Sequence, residues 1–211
     1  MLPDRLYKYR SVENWNFLKD IFSKGRLYAA SFRALNDPME GLLYEHDKDV
    51  SLKYRKAVRN ASGRLNICSL CDSHNNTLLW SYYAAGHTGL AIGVKVLASE
   101  SPRVDEPIAV RYDMTVSIDP KAERTRSPSD VARIVLAQKL AFWNHEKEYR
   151  VFTTQRYVPV EIVDVVLGCS VSRDTAQAVR VLAARHLPHT KVRLLRRSDL
   201  EWPGHQGPDR H

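Results

Sequence analysis

Asn144-His145-Glu146-Lys147-Glu148-Tyr149-Arg150-Val151-Phe152 is the stretch from which the fold is read. Ahead of it, Val131, Val135, Leu136, Leu140 and Trp143 recur at helical spacing and predict a helix over 129–144. That helix is expected to hand over to an apolar strand over 149–154. Side chains two apart on a strand point to one face, so Glu146 and Glu148 are expected to aim at a common spot. Paired carboxylates resist joint ionisation, which leaves them solvated, bridged by cations or used in chemistry. The structural explanation is a solvated strand end with Lys147 and Arg150 as counter-ions; the functional one is a reactive carboxylate pair.

Outward from this stretch, strands are predicted over 6–10, 26–30, 64–70, 90–96, 108–112, 160–167 and 191–196. Ser11 reads as the N-cap of a helix lined by Trp15, Leu18, Ile21 and Phe22, which Gly25 ends. Further helices are expected over 47–60, 77–84 and 173–186, and a disordered tail beyond Asp199. Neither repeats nor a linker interrupt the pattern, so the reading is one α+β domain over 1–198 with mixed sheets flanked by helices.

Composition narrows the function classes. No apolar run reaches the ~18 residues of a membrane span, and the first residues lack a signal-peptide core, so a cytoplasmic location is expected. Three cysteines build no disulfide framework. Cys68 and Cys71 form a Cys-x-x-Cys without the second pair that a structural zinc site needs, so they read as small buried thiols. The net charge is +8, and Arg173, Arg180, Arg185, Lys191, Arg193, Arg196 and Arg197 face only Asp174 over their stretch. An anionic partner, nucleic acid included, fits that excess, as does the solvated face of a terminal helix and strand. No aromatic residue interleaves these arginines as a stacking platform would require.

Four segments lack a simple folding explanation: Arg10, Asn36-Asp37-Pro38-Met39-Glu40, Leu79-Trp80-Ser81-Tyr82-Tyr83 with Gly86-His87-Thr88-Gly89, and Glu146-Lys147-Glu148. Each has a plain alternative: a surface ion pair, a turn initiator, core aromatics and a structural loop histidine. Together they suit an anionic ligand with a sugar or aromatic portion, because arginine clamps phosphate and a carboxylate grips ribose hydroxyls. A carboxylate also stabilises the oxocarbenium that develops when a bond at ribose C1 breaks. Neither a Walker A sequence nor Gly-x-Gly-x-x-Gly is present, which disfavours nucleotide binding through those folds.

These segments resemble a bacterial family called domain-of-unknown-function family 2971. The resemblance rests on Lys8-Tyr9-Arg10, Asn36 to Glu40, Cys68-Ser69-Leu70, Leu78 to Gly89, Lys139 to Trp143, Glu146 to Arg150 and Asp164 to Gly168, and covers about 5–168. The chain is also similar, more weakly, to ADP-ribosyltransferases of the Arg-Ser-Glu kind. That similarity implies an ADP-ribosyltransferase-like fold and NAD as substrate, with transfer to a protein or nucleic-acid acceptor, or to water, in a bacterial defence or toxin setting. By the same resemblance Arg10 takes the NAD phosphates, Ser69 holds the site together, Glu148 serves ribose and oxocarbenium, and Glu146 orients the acceptor. Trp80, Tyr83, His87, Asn36 and Asp37 complete the expected binding set. The chain departs from the pattern at Cys68-Ser69-Leu70, where one serine stands in place of two. Two other classes stay open: a metal-dependent nuclease using Asp37, Glu40, Glu146 and Glu148 with Lys147 or Lys139, and a non-catalytic nucleotide- or nucleic-acid-binding module.

Overall fold

The computed structural model describes residues 2–35, 49–115 and 117–201. In chain order its regular elements are β1 (Leu6–Arg10), α1 (Trp15–Lys24), β2 (Arg26–Tyr28), β3 (Ala30–Ser31), α2 (Leu52–Ser62), β4 (Asn66–Cys71), α3 (Thr77–Tyr83) and β5 (Leu90–Val96). They continue as β6 (Ile108–Ala109), β7 (Arg111–Asp113), α4 (Ala122–Thr125), α5 (Pro128–Leu136), β8 (Gln138–Leu140), β9 (Glu148–Thr153), β10 (Tyr157–Leu167), α6 (Arg173–His186) and β11 (Lys191–Leu194). The class is α+β, with antiparallel and parallel ladders and flanking helices. The described chain divides into two compact units. Unit 1 holds Met1–Arg26, Leu70–Val96 and Val160–His211; unit 2 holds Leu27–Ser69 and Leu97–Pro159.

In unit 1, β5 lies between β1 and β10, antiparallel to both, and β11 adds parallel to β10. The register sets Arg10 opposite Leu90 at the end of the β1–β5 ladder. Residues 90–94 of β5 are all buried, as expected of a central strand with both faces covered. Tyr7, Tyr9, Cys71, Leu79, Trp80, Ala84, Ala91, Val166 and Leu195 form one core cluster. Helices α1 and α6 pack together, α1 burying Leu18, Ile21 and Phe22. Its cap is Asn14, whose side chain accepts from the Phe17 N–H, and Gly25 closes it at φ 56°. Ser11, the expected cap, accepts instead from Glu13 N–H, which leaves Trp15 as the first helical residue and 37% exposed. Order extends past the expected end at Asp199: Glu201 N–H donates to the Asn75 carbonyl at 2.8 Å, and the Thr77 hydroxyl to the Glu201 carbonyl at 2.6 Å.

In unit 2, β9 lies between β4 and β6, β3 pairs antiparallel with β4, and β7 runs parallel to β8. Helix α2 packs on α5. Their core is Val58, Ile67, Ile118, Val131, Val135, Leu136 and Phe152 with their neighbours. The helix predicted over 129–144 stops at Leu136. Leu140 N–H does not continue the helical ladder because the Leu136 carbonyl is held by an Arg150 guanidinium nitrogen at 2.5 Å, and Gln138–Leu140 pair with β7. Ala141–Glu146 then form a 3-10 turn, and Lys147 sits in the left-handed region at φ 42°. Leu140 and Trp143 keep helical spacing in the sequence, yet tertiary partners override it.

Candidate active site: a buried carboxylate cluster

Glu148 opens β9, whereas Glu146 ends the preceding 3-10 turn, so the two acids are not strand neighbours two apart. They converge all the same, because Lys139 on β8 reaches both. Its Nζ lies 2.6 Å from Glu146 Oε2 and 3.4 Å from Glu148 Oε2. Arg150, two residues along β9 and so on the same face as Glu148, donates Nε to Glu148 Oε1 at 2.8 Å and a terminal nitrogen to Oε2 at 3.0 Å. The expectation of a solvated end is therefore corrected: Glu146 and Glu148 are each only 5% exposed, and Arg150 is 1% exposed. Arg150 is a counter-ion as expected, and Lys139 takes the place expected of Lys147. Two acids and two bases balance, as buried charges must.

Ser69, which lies in unit 2 with the cluster, also hydrogen-bonds Glu148. It alternates on β4 with Cys68 and Leu70, both buried in the core. Burial pushes the Glu148 carboxyl up, but the Arg150 guanidinium beside it, with Lys139 and the Ser69 hydroxyl, more than reverses this and holds it down to about 2. Two donors from Arg150 and one from Lys139 reach the carboxylate, that of Lys139 being the longest of the three, and the Ser69 hydroxyl adds to them. Lys139 also lies 4.6 Å from the Trp143 ring centroid, beneath a Phe142 that is 66% exposed. The Glu148 backbone N–H donates to the Tyr112 hydroxyl at 2.8 Å. Residue types alone did not reveal Lys139 as the cation shared by both acids or Tyr112 as a backbone clamp. The Lys139-to-Trp143 spacing was the available signal for the first.

In unit 1, Arg10 is half-buried at the end of β1. Gly89 packs so close to its backbone that a Cβ there would stand 2.2 Å from the Arg10 carbonyl oxygen. Trp80, expected to line a ligand, is fully buried. It meets Tyr9 edge-on at 5.1 Å and donates its indole N–H to the His74 carbonyl at 2.7 Å. Its role is core, because so large an apolar surface is stabilised most by complete burial. His87 is likewise engaged elsewhere: its ring stacks against Trp80, and its two nitrogens face Ser81 and Cys169. Tyr83 is half-buried at the end of α3 and edge-on to Tyr82, which is 60% exposed. Cys68 and Cys71 are free, buried thiols as expected. Asn36, Asp37 and Glu40 lie outside the described residues. Among the described residues no group of three or more His, Cys, Asp or Glu could hold a metal ion, and no helix is long and apolar enough to cross a membrane.

No family model matches the chain, so none supports the resemblance to family 2971. No curated protein matches it either. Among solved structures, the chain is similar to DarT of Thermus sp. 2.9, in complex with ADP-ribosylated ssDNA. The similarity spans 94% of this chain and 97% of that one, at 12% identity and a TM-score of 0.44. At that level it speaks to neither chemistry nor acceptor.

Proposed function

We propose that the chain is an NAD-using, ADP-ribosyltransferase-like enzyme in which Glu148 stabilises the cation formed at ribose C1 as nicotinamide leaves. The observation that carries this reading is the buried Glu148 carboxylate, hydrogen-bonded by Ser69 and kept anionic by Arg150 and Lys139. An oxocarbenium is stabilised by a fixed negative charge in a low-dielectric setting, not by a neutral acid. A carboxyl held down to about 2 is ionised at neutral pH, which suits that task and disqualifies Glu148 as a proton donor there. Because Arg150 and Lys139 already donate three hydrogen bonds to it, a ribose hydroxyl competes with a resident donor. Lys139, with its longer contact to Glu148 and its shorter one to Glu146, is the donor that gives way. Glu146 then retains Lys139 and orients the acceptor, a protein or nucleic-acid group or water. By the resemblance to the Arg-Ser-Glu enzymes, Arg10 is the residue proposed for the NAD phosphates.

The test follows nicotinamide release from NAD by the wild-type chain and by Glu148→Gln, Glu148→Asp, Ser69→Ala and Arg10→Ala, with circular dichroism confirming that each is folded. Folded Glu148→Gln should lose about a hundredfold or more in kcat, the usual scale for removing an electrostatic partner of a transition state. Arg10→Ala should act mainly on KM for NAD. Release that is unchanged in folded Glu148→Gln would end the reading.

One observation favours a second, non-catalytic reading, that of a nucleotide-binding module: Glu148 is 5% exposed and already accepts three hydrogen bonds from Arg150 and Lys139. It is supported if NAD raises the melting temperature while no nicotinamide appears.

A further inference from the structure

Away from the carboxylate cluster, unit 1 holds a chain of hydrogen bonds that none of the foregoing uses. The Ser81 hydroxyl donates to the Thr77 carbonyl at 3.1 Å, so its proton is committed and only its lone pairs face His87 Nε2, 3.4 Å away. His87 must therefore carry its proton on Nε2 and donate it to Ser81. That leaves Nδ1 bare, and Nδ1 faces the Cys169 sulfur at 3.9 Å. The order is thiol, imidazole, hydroxyl, carbonyl: a nucleophile within reach of a base that a third group orients.

The residues meet through long-range packing rather than sequence proximity. The Ser170 N–H donates to the His87 carbonyl at 3.0 Å, and the Gly168 N–H to the Gly89 carbonyl at 2.9 Å. A Cβ on Gly168 would stand 2.1 Å from the His87 carbonyl oxygen, so only glycine lets the two loops meet this closely. Ala85, Gly86 and His87 all take left-handed φ, at 49°, 62° and 68°, to present the imidazole there. Burial, then the Arg197 charge, pushes the His87 pKa below its ordinary value and keeps the ring neutral. Cys169 is half-buried and reachable, whereas Cys68 and Cys71 are buried.

We propose that Cys169 is an oxidation-sensitive thiol, with His87 as its base and a hydroperoxide as its oxidant. In the step, His87 Nδ1 takes the thiol proton and the sulfur attacks the distal peroxide oxygen. An S–O bond forms as the O–O bond breaks, and the leaving alkoxide or hydroxide takes the proton back from His87. The products are a sulfenic acid and an alcohol or water: sulfur is oxidised by two electrons and the peroxide reduced by two.

The test treats the full native chain with low hydrogen peroxide in the presence of dimedone, which traps sulfenic acid, and maps the adducts by mass spectrometry. Thiolate is the attacking form, so a base within reach of the sulfur is expected to speed the attack by about threefold to fivefold. Asparagine tolerates the left-handed backbone without supplying a base, so His87→Asn should slow Cys169 labelling by that factor. In the wild-type chain Cys169 should outpace Cys68 and Cys71, and should also outpace the same cysteine in a peptide of residues 165–173. Equal rates in wild type and folded His87→Asn would overturn the proposal. So would a wild-type Cys169 no faster than the peptide, a comparison that stands even if the variant does not fold.

Discussion

Replacing Glu148 by glutamine removes one negative charge from a cluster in which two acids balance two bases, at nearly constant shape. Arg150, 1% exposed, then keeps its bond to the Leu136 carbonyl but loses the Glu148 anion, and Lys139 keeps Glu146 as its carboxylate. Two routes give the magnitude. A carboxyl held at about 2 in the folded chain, against about 4.5 unfolded, is worth about 3 kcal/mol at neutral pH, since each unit is about 1.4 kcal/mol. Removing one partner of a buried ion pair costs about 3–5 kcal/mol in other proteins, which agrees. Because the folded pKa is the depressed one, this stabilisation is complete above the unfolded value and is lost as pH falls through the folded value. The wild-type advantage over Glu148→Gln should therefore be about 3 kcal/mol at pH 7 and shrink to about 1 kcal/mol at pH 3, where the carboxyl is already protonated in the unfolded chain but still mostly ionised in the native one. Urea unfolding of both proteins at the two pH values, followed by circular dichroism, measures the difference. A cost below about 1 kcal/mol at pH 7, or a difference that does not shrink at pH 3, would refute the picture of a carboxylate clamped by Arg150, Lys139 and Ser69.

Two further outcomes are expected of unit 1. Asn14→Ala should destabilise the chain by about 1 kcal/mol in denaturant titrations while Ser11→Ala changes little, because Asn14 is the residue that caps the Phe17 N–H. Gly89→Ala should cost at least about 2 kcal/mol, since its Cβ would meet the backbone oxygens of Arg10 at 2.2 Å and Ala84 at 2.9 Å, neither of which can rotate away. A lowered melting temperature checks the second, and a Gly89→Ala protein as stable as wild type would contradict the close strand-end packing.

Much of this fold was written locally. The strand at 6–10, the helix stop at Gly25, a strand across Cys68, Ser69 and Leu70 and the helix at 173–186 all follow from period, caps and turn residues, and the structure repeats them. Local rules failed where a distant group took over a backbone partner. The helix expected over 129–144 ends early because Arg150 binds the Leu136 carbonyl and β7 pairs with residues 138–140. Trp80 and His87 looked like ligand contacts by composition; burial turned the first into core and directed the second toward Ser81 and Cys169.

The sequence by itself placed Glu146, Glu148 and Arg150 within five residues of one another and Ser69 on a predicted strand, because local period and propensity are enough to fix such relations. Only the tertiary structure decided that the acids are buried rather than solvated, and that Lys139 joins them and Ser69 binds one of them. Burial and shared counter-ions depend on groups brought from other elements, and in a low-dielectric setting those groups decide whether a carboxylate is neutral or held as an anion.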